Sequence, residues 1–167
     1  MVKIGPLTKL ETYHYLEKYQ IPYEVVTHPA VFNMTDAQRL ALPHPEAEAK
    51  NLLIKDTTKT HYYLLVIHGD KHVDLKQFRQ AQHTRRLTFA SPEELMTYLG
   101  AIPGAVTPLG VLNDTAHRVV VYLDRAFGPT GLVGVHPNEN TATVWLQTQD
   151  LIALLRHHGN EVQVTTF

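Results

Sequence analysis

The chain has 167 residues, 44% hydrophobic and 19% charged, with 15 Lys and Arg against 16 Asp and Glu and no cysteine. A chain of this length buries roughly 70% of its unfolded surface, so a hydrophobic core can hold it without covalent staples, and one domain over 1–167 is expected. Disulfides, thiolate nucleophiles, iron–sulfur clusters and Cys-based zinc sites are excluded; the balanced charge argues against a DNA-coating protein but leaves room for a local basic patch.

No apolar run approaches the ~18 residues of a membrane span, and the N-terminus lacks the apolar core of a secretory signal, so a cytoplasmic protein with no membrane partner is expected. Leu7, Leu10, Tyr13 and Leu16 recur at helical spacing and predict a helix over 7–19. Tyr23 to Val26 reads as a short strand ended by His28-Pro29. Thr35 with Gln38 is a capping-box pattern, and Pro43-His44-Pro45 breaks the short helix it starts. Glu46 to Lys50 reads as one more helical turn. Asn51–Ile54 and Tyr62–Ile67 are expected to pair as antiparallel strands, the second of them central, with Gly69-Asp70 as the following turn. Asp74 is a helix cap, Arg85 to Phe89 a short edge strand, and Ser91-Pro92-Glu93-Glu94 a helix start stopped by Gly100. Arg118–Leu123 and Leu132–Val135 are strands. Thr141–Leu146 alternates as a half-buried strand, a helix runs from about Asp150 to His157, and the tail EVQVTTF is a candidate edge strand. Strands that outnumber helices without alternating strictly favour an α/β fold of α+β type, a single domain with a mixed, curved β-sheet surrounded by short helices.

Eleven histidines raise the question of a metal, but no HExxH occurs and the His-Pro pairs at 28, 44 and 136 stand alone, so neither metal nor other cofactor is expected. Neither a GxSxG elbow nor a phosphate-binding glycine loop occurs, and Ser91, the only serine, reads as a helix cap, which argues against serine-hydrolase chemistry. Three features remain. The loop Gly100-Ala-Ile-Pro-Gly-Ala-Val-Thr-Pro-Leu-Gly110 implies a tightly turned backbone whose amides at Gly104 and Ala105 could clamp a carbonyl oxygen, against the plainer reading of turn-making alone. The cluster His136-Pro-Asn-Glu-Asn-Thr-Ala-Thr143 sits before a core strand, where sites are common and Asn-rich turns equally so. Lys50 opens an apolar strand and could hold a phosphate or polarise a carbonyl. Segment 50–86 is also the most basic stretch, with a solvated face and an RNA-backbone contact as its two readings.

Together and in this order the blocks IPYEVVTHPAVFNMTDA (21–37), LPHPEAEAKNLLIKD (42–56), YYLLVIHGDKHVDLK (62–76), RRLTFASPEELMTYLGAIPGAVTPLGVLND (85–114) and HPNENTATVWLQTQDL (136–151) closely resemble the free-standing prolyl-tRNA editing proteins of the aminoacyl-tRNA deacylase superfamily, over nearly the whole chain. The resemblance implies a single mixed α/β domain around a curved sheet and trans-editing hydrolysis of mischarged alanyl-tRNA(Pro). The family lysine matches Lys50, the substrate loop Gly100 to Gly104 and the following VTPLG, and the histidine His136. Ala105 stands where relatives often carry serine, which removes one hydroxyl and leaves the amide. The resemblance thus points to Lys50, Gly104, Ala105 and His136 for catalysis. It points to His28, Gly100, Pro103 and Asn140 for substrate binding, with Val31, Phe32 and Met34 as pocket walls. The implied partner is the acceptor end of mischarged tRNA(Pro), with prolyl-tRNA synthetase or an elongation factor as further candidates and no DNA. The rivals are a deacylase for cysteinyl-tRNA(Pro) or another small aminoacyl-tRNA, and a non-catalytic module that binds tRNA acceptor ends or a synthetase.

Overall fold

The computed structural model describes residues 5–69 and 71–167. Its centre is β3 (Tyr62–His68), whose run YYLLVIH has no polar residue until its last position. Leu64, Leu65, Val66 and Ile67 are all fully buried, so both faces of the strand are covered and each face feeds its own core. β2 (Ala49–Asp56) lies antiparallel to it, with Lys50 opposite Ile67 and Ile54 opposite Tyr63. β4 (Leu87–Phe89) adds to the outer edge of β2 only over Ile54–Asp56. On the other side β5 (Val119–Asp124) and β8 (Val162–Thr165) extend the sheet in parallel, giving the order β4-β2-β3-β5-β8. A second, antiparallel sheet takes β1 (Glu24–Thr27), β7 (Ala142–Gln147) and β6 (Leu132–Val135), in the order β1-β7-β6. The mixed α/β architecture expected from the sequence is present, with its strands divided over two sheets; a parallel bridge between Glu48 and Gly134 connects them.

The larger core lies between the sheets. Leu64, Val66, Val121 and Leu123 meet Val133, Val135, Val144 and Leu146 there, closed by Leu16 of α1 (Lys9–Lys18), Leu95 and Leu99 of α4 (Pro92–Leu99), and Leu151 and Leu155 of α5 (Thr148–His158). The opposite face of the five-stranded sheet packs Ile54, Tyr63, Leu65, Ile67 and Tyr122 under Phe78 of α3 (Leu75–Gln82). Side chains alternate along a strand. Odd residues of β2 therefore face the larger core and even residues the smaller one, as Leu53 and Ile54 show.

The helix caps follow from side-chain chemistry. Ser91 and Glu94 form the expected capping box, and Asp74 accepts from the Lys76 and Gln77 amides. The carboxylate of Glu94 also takes the ammonium of Lys55 and the hydroxyl of Tyr62 (2.6 Å), which locks β2, β3 and α4 together. Burial alone would raise the Glu94 carboxyl; the hydrogen bonds from Lys55, Tyr62 and Ser91 outweigh it and hold the group at about 2.

Three local expectations are corrected. Helix α2 (Met34–Arg39) is capped by Asn33, not Thr35: Asn33 is extended and its side chain accepts from the Asp36 amide at 2.8 Å. The turn before β2 is a short 3-10 helix over Pro45–Ala47, and Lys50 belongs to the strand. β7 is buried on both faces, because Val144 and Leu146 enter the larger core while Thr143 and Trp145 line a pocket on the other side. The Gly69-Asp70 turn reaches Asp70, which lies outside the described residues.

Candidate active site

Because β4 covers only the end of β2, the stretch from Ala49 to Leu52 forms an open sheet edge. A hollow of about 430 Å³ runs along that edge, within the roughly 300–1,000 Å³ typical of small-ligand sites. Lys50, Pro103, Gly104 and His136 line it together. The side chain of Lys50 makes no ion pair or hydrogen bond with the described residues. Its place in the alternation puts it on the α3 side of β2, opposite Asn51.

The turn from Pro103 to Val106 is positioned by three contacts. Gly104 has φ +83°, and a Cβ there would lie 2.9 Å from the carbonyl oxygen of Phe32, so only glycine lets the turn close against that segment. Asn51 donates from Nδ2 to the Val106 carbonyl at 3.3 Å. Thr107 donates its hydroxyl to the carbonyl of His136 at 2.6 Å. The N–H groups of Gly104 and Val106 have no partner among the described residues.

Two of the loop residues picked from sequence play other parts. The Ala105 amide donates to Ile102 O at 3.1 Å and its side chain is buried, so it offers no donor to the pocket. Gly100 is not a lining residue: it caps α4 in the left-handed conformation, and a Cβ there would meet Pro6 at 2.5 Å.

His136 closes the far wall. Its Nδ1–H donates to the Ala142 carbonyl at 3.0 Å, which leaves Nε2 as the acceptor in the neutral ring. Burial pushes its pKa below the ordinary histidine value and the nearby His28 adds to this, against the Ala142 bond. His28 is buried, donates from Nδ1 to the Pro29 carbonyl and accepts at Nε2 from the Thr143 hydroxyl, both at 2.8 Å. It reaches the pocket through Thr143, which is itself a lining residue. Asn140 is likewise one step removed: its Nδ2 donates to Val31 O at 2.8 Å and its carbonyl accepts from Val31 N at 3.2 Å, clasping the wall residue from both sides. Val31 and Phe32 line the hollow, the first buried and the second 52% exposed. Met34 opens α2, and its side chain lies outside the described residues.

Sequence reasoning missed Asn51 and Trp145, both lining residues; Thr143, the end of the 136–143 cluster, lines the hollow as well. The Oδ1 atom of Asn51 is buried with no hydrogen-bond partner among the described residues. A side-chain amide directly before the apolar run Leu52–Ile54 is the signal that could have marked it, since a buried acceptor without a partner costs on the order of 1–3 kcal/mol. The basic segment also divides: Lys55 is paired with Glu94 and Lys71 with Asp124 (3.0 Å). Among the described residues no cluster of three or more His, Asp or Glu is placed to share a metal ion, and no helix is long and apolar enough to cross a membrane.

Residues 28–154 match the family model of the aminoacyl-tRNA editing domain. The chain belongs to that family. The editing domain is 34% identical over 145 residues to the prolyl-tRNA editing protein ProX of Acetoanaerobium sticklandii, covering 87% of this chain and 88% of the relative. It is 30% identical to the prolyl-tRNA synthetase associated domain-containing protein 1 of Bos taurus, covering 86% of each chain. A crystal structure described as a candidate trans-editing enzyme for prolyl tRNA synthetase shares the fold, with a TM-score of 0.72 at 21% identity over 98% of both chains. As an editing domain the chain is an aminoacyl-tRNA deacylase, an ester hydrolase whose substrate ends in an aminoacylated ribose. The hollow beside β2 brings together a lysine, two unpaired backbone amides and a histidine whose Nδ1 is spent on a carbonyl.

Proposed function

We propose that this editing domain hydrolyses the ester of alanyl-tRNA(Pro) in trans, releasing alanine and intact tRNA. The observation that carries the reading is the shared hollow of Lys50, Gly104 and His136. The similarity to the ProX protein supports the choice of tRNA(Pro).

An aminoacyl ester is already activated, so no strong protein nucleophile is needed. Water held at Nε2 of neutral His136 adds to the carbonyl carbon. The carbonyl oxygen takes up negative charge against the N–H groups of Gly104 and Val106. Collapse breaks the bond to the ribose oxygen, which leaves with the proton that the water gives up, passed through the vicinal hydroxyl. The Lys50 ammonium holds the terminal phosphate as a point charge. His28, Thr143 and Asn140 act as positioning residues, the first two behind the His136 wall and the last behind Val31.

Selectivity follows from size. A wall built from Val31 and Phe32 admits alanine and excludes the proline ring, and steric exclusion of a larger side chain is the easier direction of discrimination. The test is deacylation of alanyl-, cysteinyl-, seryl- and prolyl-tRNA(Pro) by the purified protein. Fast loss of the alanyl ester with a spared prolyl ester supports the reading. Preferred hydrolysis of the cysteinyl ester moves the substrate within the same chemistry. Binding of tRNA without turnover of any ester makes the protein a binding module.

A further inference from the structure

Phe89 is 59% exposed although it lines the outer rim of the pocket. It lies opposite Ile54 across the β2–β4 pair, so it shares the sheet face of Ile54 and, by alternation, of Leu52 and Lys50. That same face carries α3. From Lys76 to Phe89 the sequence KQFRQAQHTRRLTF holds four permanent cations and no carboxylate, in a chain whose net charge is -1. Lys76, Arg79, Arg85 and Arg86 are all exposed, and none is ion-paired among the described residues. Arg86 precedes Phe89 by three residues of extended chain, about 10 Å. The Arg86 carbonyl accepts from Thr57 N at 2.9 Å, which ties this end of β4 to the β2–β3 turn. An exposed aromatic ring at the pocket mouth, followed by a carboxylate-free row of guanidinium groups, is the chemistry of a single-stranded nucleic-acid track.

We propose that β4 and α3 seat the unpaired 3′ end of the RNA: Phe89 stacks on a base next to the terminal nucleoside, and Arg85 and Arg86, with Arg79 and Lys76 beyond them, take the phosphates behind it. The inference rests on the aminoacyl-tRNA reading above and adds the surface by which the RNA enters. Lys50 on the same face then continues the row of positive charge into the pocket.

The experiment compares two substrates for the full chain, alanyl-adenosine and an alanylated acceptor minihelix ending in CCA, and measures binding of the uncharged minihelix by anisotropy. For Phe89→Ala the ratio of minihelix KM to alanyl-adenosine KM rises about tenfold, in line with loss of one base–aromatic stack, and Phe89→Trp restores it. For Arg85→Glu/Arg86→Glu the same ratio rises, and the dependence of log KM on log salt loses a slope of about 1.4, two single-strand phosphate contacts. Equal slowing of both substrates by Phe89→Ala overturns the track and makes Phe89 a wall of the aminoacyl pocket. An unchanged salt slope in the Arg85/Arg86 variant also overturns it. If the wild type hydrolyses neither ester, the deacylase reading fails; the track is then judged by binding alone. It stands if the variants weaken minihelix binding about tenfold and falls if they do not.

Discussion

The hydroxyl of Thr107 donates to the carbonyl oxygen of His136 at 2.6 Å, and this one bond joins the glycine–proline turn to the histidine wall of the pocket. Thr107 is fully buried, and its oxygen also accepts from the Leu109 amide, so it fixes the turn and the wall in a single network. Thr107→Val keeps the shape and removes both bonds. We expect a loss of about 1–2 kcal/mol of stability and a fall of roughly tenfold in kcat through the misplaced turn, read by denaturant unfolding and by ester hydrolysis under saturating substrate.

The half-buried His136, neutral at pH 7, is expected to set the pH profile. Its pKa is lowered by burial and by His28, so the ring stays unprotonated as pH falls through the ordinary histidine value of about 6.5. The acid limb of kcat therefore lies below pH 6.5. The same shift costs stability in acid: the unfolded chain binds the proton first, so stability falls as pH drops below 6.5 until His136 itself protonates. In His136→Gln the histidine limb disappears from the rate profile. A limb centred at 6.5 or above in the wild type would place the working histidine elsewhere.

Gly104 is needed for both its conformation and its emptiness. In Gly104→Ala the added Cβ meets the Phe32 backbone at 2.9 Å at a φ of +83°. We expect about 1–3 kcal/mol of destabilisation and a fall of at least tenfold in hydrolysis, since the turn moves away from the ester. Ala105→Ser serves as the contrast, because the Ala105 amide is already spent on Ile102; hydrolysis by that variant is expected within about threefold of wild type.

Glu94 ties the sheet edge to α4. Its carboxyl is held at about 2 by Lys55, Tyr62 and Ser91 in spite of burial. Its contribution is present above the unfolded carboxylate value of about 4.3 and is lost as pH falls toward 2. Glu94→Gln is expected to cost about 2 kcal/mol at pH 7, with the difference from wild type shrinking below pH 4.5. Urea unfolding at pH 7 and pH 3 measures both ends.

Much of the fold was legible in the residues. The apolar run of β3, the Ser91–Glu94 box and the Gly100 stop each carry their own local cause, and the structure reproduces them. The division into two sheets was not legible, because it depends on which strands pair at long range and not on local pattern. β7 shows the limit well: its alternation predicted one wet face, yet that face, with Thr143 and Trp145, is covered as the pocket's wall. In the site, Lys50, Gly104 and His136 were marked by sequence and meet in one hollow. The engaged amide of Ala105 and the capping duty of Gly100 were invisible, since both depend on hydrogen bonds and contacts formed only after the turn is folded. Asn51 was not legible either, because only the folded edge of β2 buries its Oδ1 without a partner among the described residues.

The most direct test is single-turnover hydrolysis of alanyl-tRNA(Pro) by the wild-type chain and by Lys50→Ala. The account predicts rapid release of alanine by the wild type, no release of proline from prolyl-tRNA(Pro), and a loss of about a hundredfold in Lys50→Ala, the scale of removing one charged positioning group. An alanyl ester that survives the wild type, or one cleaved equally fast without the Lys50 ammonium, would contradict it.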